Sequence, residues 1–198
     1  EHIHRNDSDI PEEFITKMGE LGFFGLSIPE EFGGVEMGNL AMILTTEELS
    51  RASLAAAGSL ITRPEILTKA LIAGGTEKQK QEWLPKLASA EKIGCFGLTE
   101  PDAGSNAFRL KTLATRDGDD YVLNGEKVFI TGADVADKMI LVCRTTSRAE
   151  VDARGMPKAF GLAVFVVDTK APGISMTPIP TRGIEGNGQF HMFFDDVR

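Results

Sequence analysis

Cysteine is scarce. Cys95 and Cys143 are the only two in 198 residues, and they are not in CxxC spacing. That excludes a disulfide framework and a cysteine metal centre, and it suits two small buried strand residues in a reducing compartment. Histidine is nearly as rare, at three. His2 and His4 read as a solvated terminal segment, and His191 as a structural residue in an apolar strand pattern. No GxSxG elbow, HExxH pair or P-loop occurs, so those chemistries have no support. No apolar run is long enough to cross a bilayer as a helix. No charged-then-apolar signal segment opens the chain, and the expected location is cytoplasmic, or the mitochondrial matrix in a eukaryote. Lysine and arginine number 21 against 29 acidic residues, a net charge of −8. Broad nucleic-acid binding needs clustered basic residues and is not expected. A small local basic pocket for one nucleotide remains open.

What is present is an ordinary globular composition, 42% hydrophobic and 25% charged, with enough length for one or two domains. The first half has helical periodicity. Asp9 suits an N-cap, with Pro11 and Glu12 behind it, and Phe14, Ile15, Met18 and Leu21 mark one face before a stop at Gly22. The following FFGLSIPEEFGG reads as a loop with apolar teeth that packs back on a core. A second helix is expected over residues 40–52 with Leu40, Ile43, Leu44 and Leu49 inward, and Glu47 and Glu48 beside Arg51 on the solvated face. A third runs from the alanines at 55–57 through Ile61, Ile66, Leu67 and Leu71 to Gly74-Gly75. Thr76 with Gln79 forms a capping box for a fourth, whose apolar side carries Trp83 (first a core anchor), Leu84 and Leu87. Pro85 is expected to break or restart it.

After Lys92 the period changes to strands. They are expected at residues 95–98, 110–115, 121–123, 127–131, 139–144, 161–168 and 190–194. Asp117-Gly118, Asn124-Gly125 and Pro172-Gly173 supply turns, and residues 147–158 form a polar excursion. Two of the runs are nearly continuously apolar, which suits strands covered on both faces. So many strands without intervening helices indicate a small barrel or sandwich. The fold class is α+β, an all-α domain over 1–92 followed by a β-barrel or sandwich domain over 93–198.

The most informative stretch is residues 94–106, GCFGLTEPDAGSN. A short apolar strand runs into Thr99 and then Glu100-Pro101, which disfavours helix. Ala103, Gly104 and Ser105 follow, leaving backbone N–H groups approachable beside a hydroxyl. Such a strand end can cradle an anionic or ring-shaped ligand, or it can be a plain strand and turn. A second block, GEKVFITGADVAD at 125–137, contains Phe129, Ile130 and Thr131. Thr99 and Thr131 could simply favour β structure, and Phe129 could be a core aromatic.

Together the two blocks resemble the signatures of acyl-CoA dehydrogenases, a small or aromatic residue followed by x-[LV]-T-E-P-x-A-G-S-D and then G-x-K-x-[WF]-I-T-[NS]. The FFGLSIPEEFGG segment resembles a third conserved stretch near that family's acyl pocket. The resemblance implies FAD as cofactor. Leu98 and Thr99 would meet its pyrimidine edge, Phe96 would line the pocket, and Gly104 and Ser105 would approach the pyrophosphate, with Ser105 also on the substrate side. Phe129 stands where a Trp often packs on the flavin, followed by Ile130, and Thr131 matches the hydroxyl near N5. Asn106, Asp102 and Gly132-Ala133 depart from the usual pattern. The implied reaction is α,β-dehydrogenation of an acyl-CoA thioester to a trans-2-enoyl-CoA, with hydride passing to flavin N5. Electrons would pass on to an electron-transferring flavoprotein, and the complete protein would be a homo-oligomer. The base is expected in a helical C-terminal domain beyond these residues; Glu30, Glu47 and Glu100 do not match its position. Alternatives are an acyl-CoA oxidase or flavin monooxygenase on the same scaffold, or a non-catalytic scaffold domain.

Overall fold

The computed structural model describes residues 10–182 and 186–198. Its first part is helical: α1 (Glu12–Glu20), α2 (Gly38–Ala52), α3 (Leu54–Leu60), α4 (Ile66–Gly74) and α5 (Glu77–Ala88). The expected cap Asp9 lies outside the described residues, as do His2 and His4. Pro11 occupies the N-cap position of α1, Ile15 and Met18 are buried, and Phe14 and Leu21 are exposed. Gly22 then takes the left-handed conformation that ends the segment. The loop that follows does pack inward through Phe24, Leu26, Ile28 and Phe32. Gly34 is obligatory there, because a Cβ would lie 1.9 Å from the Ile28 carbonyl oxygen.

Three helical expectations need correction. Helix α2 buries Met42, whereas Leu40, Ile43 and Leu44 are 69%, 62% and 53% exposed. Its apolar stripe is wider than the neighbouring elements cover, so periodicity identified the helix and misplaced its inner face. The third helix is not continuous, since a π-turn at Ile61–Glu65 containing Pro64 separates α3 from α4. Pro64 removes a backbone donor and the ladder widens around it. Pro85, in contrast, sits inside an unbroken α5. Only one turn follows it, and burial of Leu84, Leu87 and Ala88 outweighs one lost hydrogen bond, at about 1.5–3 kcal/mol for each large apolar side chain. The Thr76–Gln79 capping box is formed as expected. Trp83 is partly buried against the Leu67, Leu84 and Leu87 cluster, with Lys86 and Lys138 ammonium groups 5.9 and 5.6 Å from its ring.

The second part is one curled seven-stranded sheet: β1 (Gly94–Gly97), β2 (Leu113–Asp117), β3 (Asp120–Thr131), β4 (Lys138–Arg144), β5 (Leu162–Asp168), β6 (Ile174–Ile179) and β7 (Gln189–Val197). The spatial order is β1-β4-β2-β3-β7-β6, with β5 on the other edge of β4. Strand β6 carries no apolar run and was not read from the sequence. A short helix α6 (Arg148–Ala153), capped by Ser147, lies in the polar excursion. Continuous apolar character means two-sided burial only for β4; β5 leaves Val164 and Val166 exposed.

The expected turn at Asn124-Gly125 is absent, and β3 runs through it with a register shift against β7. Gly125 has φ 144°, and a Cβ there would stand 2.7 Å from Thr112 Cα. Asn-Gly here permits a bulge and a close approach rather than a hairpin. Asp117-Gly118 does turn, with Gly118 left-handed. The two cysteines are buried in the sheet core, where burial pushes Cys95 up to about 12 and Cys143 to about 11. Among the described residues no helix is long and apolar enough to cross a membrane.

Candidate functional site

The two sequence blocks are bonded to each other. Strand β1 ends at Gly97, and the chain continues past Thr99 to lie against the middle of β3, where the Val128 N–H donates to the Thr99 carbonyl at 2.9 Å. Thr99 thus lies beside the segment carrying Phe129, Ile130 and Thr131. Beneath this contact Lys127 is fully buried and its ammonium donates to Glu100 Oε1 at 2.8 Å and to the Leu98 carbonyl at 2.9 Å. Glu100 also accepts the Lys111 N–H at 2.6 Å and the Thr112 N–H at 3.0 Å. The four bonds anchor the Leu98–Pro101 turn from below and leave its outer side free.

Burial alone pushes the Glu100 carboxyl upward, but the Lys127 ammonium and the Thr112 and Lys111 donors outweigh it and hold the group below the ordinary carboxylate range. Burial likewise draws Lys127 below the ordinary lysine value, against the opposing pull of Glu100. Both partners are occupied by each other and by backbone, the arrangement of a structural clamp rather than of an available proton acceptor. Neither Lys127 nor the anchoring role of Glu100 was read from the sequence. The signal lay in the Glu of TEP and the Lys of GEK, two charged residues each embedded in an apolar strand context.

Beyond Lys127 the β3–β7 register shifts again before Ile130. At this bulge Phe129 has φ 58° and is 59% exposed. A bulky residue held left-handed with its ring outward is uncommon, and such strain concentrates at functional sites. Ile130 points the other way into the sheet core, which leaves its backbone to face the outer side. Thr131 is held by Gln189. The amide Nε2 donates to Thr131 Oγ1 at 2.8 Å, and Oε1 lies 3.1 Å from the same hydroxyl. Gln189 Nε2 also donates to the Asn187 carbonyl at 3.1 Å, and Asn187 reaches Ser59 Oγ at 3.3 Å and the Ala55 carbonyl at 3.3 Å. A polar chain therefore joins Thr131 to helix α3. Gln189 and Asn187 lie far from Thr131 in sequence, and no local pattern marked them.

The remaining expected residues are distributed around this centre. Phe96 is half-buried against the helical cluster of Leu67 and Trp83. Gly104 and Ser105 are exposed, and a Cβ on Gly104 would meet nothing within 4 Å. The Thr99 and Ser105 hydroxyls have no protein partner among the described residues. Lys111 and Asp102 pair across the foot of the loop at 2.6 Å. No group of three or more His, Cys, Asp or Glu that could hold a metal occurs among the described residues.

A second feature of the helical part is the buried Glu65 at the end of the π-turn. It accepts from the Ser27 hydroxyl, and Lys69 Nζ lies 2.6 Å from its Oε1, too poorly aligned for a hydrogen bond. With Met42, Ile43 and Ile61 it borders a hollow of about 550 Å³.

An all-α segment feeding a curled sheet, with these two blocks locked together at its lip, defines a member of the acyl-CoA dehydrogenase family. Residues 1–91 match the family model for the acyl-CoA dehydrogenase N-terminal domain and residues 95–197 that for the middle domain; the chain belongs to this family. It is 42% identical over 183 residues to (2S)-methylsuccinyl-CoA dehydrogenase of Cereibacter sphaeroides, covering 92% of this chain and 32% of that protein. It is 40% identical over 190 residues to the acyl-CoA dehydrogenase FadE12 of Mycobacterium tuberculosis, covering 94% of this chain and 46% of that one. The structure of a glutaryl-CoA dehydrogenase from Mycobacterium smegmatis in complex with FADH2 matches 100% of this chain and 48% of its own, with TM-score 0.87 and 30% identity. The chain thus spans about a third to a half of the length of these relatives.

Proposed function

We propose that this chain is the FAD-binding and substrate-orienting part of an acyl-CoA dehydrogenase, divided into a helical domain over 1–92 and a β domain over 93–198. The observation that carries the reading is the clamp between the two blocks, Lys127 to Glu100 and Leu98 with Val128 to Thr99. It brings unpartnered hydroxyls, an outward aromatic ring and an oriented threonine to one lip of the sheet.

These residues fit a flavin. An isoalloxazine ring needs an apolar wall and hydrogen-bond donors at its polar edge, and a pyrophosphate needs small residues with free donors. Phe129 supplies the wall and Phe96 flanks it. Leu98 and Thr99 supply backbone and hydroxyl at the polar edge, the Ile130 backbone lies alongside, and Gly104 and Ser105 supply the small-residue approach. Ser105 is also placed to meet the substrate. When bound, FAD supplies an acceptor for a hydride from the acyl β-carbon. The protein's share is orientation and electrostatics. Gln189 donates to Thr131, leaving the Thr131 proton free to donate outward. The Lys127–Glu100 clamp keeps Thr99 from shifting when charge develops beside it, so little reorganisation is needed at that moment.

Removal of the α-proton requires a carboxylate, and Glu100 is committed to Lys127. That role falls to a residue outside this chain. An electron-transferring flavoprotein is the proposed acceptor of the electrons, and a homo-oligomer the proposed state of the complete protein. The test is anaerobic mixing of the full-length, FAD-loaded protein with a panel of acyl-CoA thioesters while following flavin absorbance. Bleaching by at least one thioester is expected. No bleaching with any of them, or rapid re-oxidation by air during turnover, would overturn the dehydrogenase reading.

A further inference from the structure

The chain carries a net charge of −8, yet one hollow on its surface is basic. It has a volume of about 380 Å³ and is lined by Asn106, Arg109, Lys111, Arg148, Asp152 and Lys158. Four cations face one carboxylate there. Asp152 is taken by Arg148 at 2.8 Å, and Lys111 is taken by Asp102 from outside the hollow at 2.6 Å. Arg109 and Lys158 have no carboxylate within ion-pair distance among the described residues and feel Asp102 and Asp152 only from further off.

The hollow is built, not a chance meeting of surface side chains. Arg144 is fully buried beneath it with no carboxylate partner, and burial together with nearby Arg148 pulls its guanidinium below the ordinary arginine value. Its Nη2 donates to the carbonyls of Phe108 at 2.7 Å and Lys158 at 3.1 Å, its Nε to Leu110 at 2.9 Å and its Nη1 to Phe160 at 3.0 Å. Arg148 adds a bond to the Phe108 carbonyl at 3.0 Å. One guanidinium thus ties together the two backbone segments that carry Arg109 and Lys158, although they are far apart in sequence. The fork geometry of arginine is what lets a single side chain hold four carbonyls.

We infer that this hollow binds the phosphate-bearing nucleotide end of a coenzyme A thioester. The inference rests on the acyl-CoA reading above. Asn106 on its wall directly follows Ser105, so the hollow is continuous with the loop proposed to meet the thioester. A CoA nucleotide carries a pyrophosphate and a 3′-phosphate, and guanidinium and ammonium groups without carboxylate partners are the chemistry that recognises them. The 3′-phosphate is a dianion at the edge of a long flexible ligand; Arg109 and Lys158 would fix that end while the acyl end reaches the sheet lip.

The experiment compares the FAD-loaded full-length protein with its Arg109→Gln/Lys158→Gln variant. Michaelis constants are measured for an acyl-CoA and for the matching acyl-pantetheine thioester, which lacks the nucleotide. In parallel, calorimetry measures binding of free CoA and of 3′-dephospho-CoA. The expected result is a KM for the acyl-CoA raised roughly tenfold in the variant, two partly exposed charge contacts contributing together. Acyl-pantetheine kinetics and flavin content are expected to stay unchanged, and free CoA to bind more weakly with a shallower salt dependence. A Lys158→Glu variant repeats the test with reversed charge and is expected to move the same way and further. Equal effects on both thioesters, or no effect on either, would overturn the assignment. If the wild type binds CoA through these residues but no thioester bleaches its flavin, the anion site stands and the dehydrogenase reading fails. If thioesters bleach it with unchanged constants in the variants, the reverse holds.

Discussion

Thr131 was legible as a residue type in the right place, but not its state. Its hydroxyl is set by Gln189, 58 positions away, and hydrogen bonds between strands paired only in the folded sheet leave no mark in local sequence. Gln189→Leu removes the donor and leaves a hydroxyl free to turn. Loss of one oriented hydrogen bond is about 1 kcal/mol, so FAD affinity is expected to fall roughly fivefold. Fluorescence titration of the apoprotein measures this, with an unchanged far-ultraviolet circular dichroism spectrum. Phe129 illustrates the opposite case. Its aromatic character was plain, yet the left-handed φ of 58° could not be foreseen, because an unremarkable VFIT strand sequence hides the bulge.

At the scale of elements, glycine and proline carried both the best and the worst information. Gly22 and Gly118 marked ends as expected, while Gly125 marked a bulge and Pro85 marked nothing. The difference is tertiary, since Thr112 crosses over Gly125 and buried leucines hold α5. Gly125→Ala puts a Cβ against Thr112 on a backbone conformation few side chains adopt. It is expected to destabilise by about 1–3 kcal/mol in urea unfolding. The Lys127–Glu100 pair spans elements too. Lys127→Met leaves Glu100 buried without its cation, with an expected loss of about 3–5 kcal/mol, whereas Lys127→Met combined with Glu100→Met is expected to recover most of it. Guanidinium melts of the two variants check both values.

The same pair sets an acid limit. The Glu100 carboxyl titrates lower in the folded chain than in the unfolded one, so the unfolded chain binds its proton first as pH falls. Its stabilisation is complete above the unfolded value, roughly pH 4.3, and is lost as pH drops through the lower folded value. Lys127 is also depressed, so in the alkaline window between its folded and unfolded values stability rises with pH rather than falling. Acid melts are therefore expected to steepen below about pH 4, and Glu100→Gln, though less stable at pH 7, to show a flatter acid limb.

For the whole molecule, the division into helices and then strands was legible because the hydrophobic period changes once. Strand order was not, since β4 pairs in parallel with β1 and β2 across long connections. The outward stripe of Leu40, Ile43 and Leu44 is another property of the whole, visible only once the neighbours of α2 are known. Expressed by itself, the 198-residue chain is expected to self-associate through this stripe. Light scattering on a size-exclusion column would detect it, and Leu40→Glu/Ile43→Glu is expected to return the chain toward monomer without lowering its melting temperature.

The clamp between the blocks also fixes when the site comes into being. Lys127 and Glu100 stand 27 positions apart, and neither charge can enter the interior before the other without a heavy desolvation cost. Closing that loop and seating the pair are therefore one event, and the lip that faces the ligand has no half-assembled form. The amide protons of Thr112 and Val128, which bond across the same junction, are expected to exchange with solvent only through the opening that unfolds the sheet as a whole.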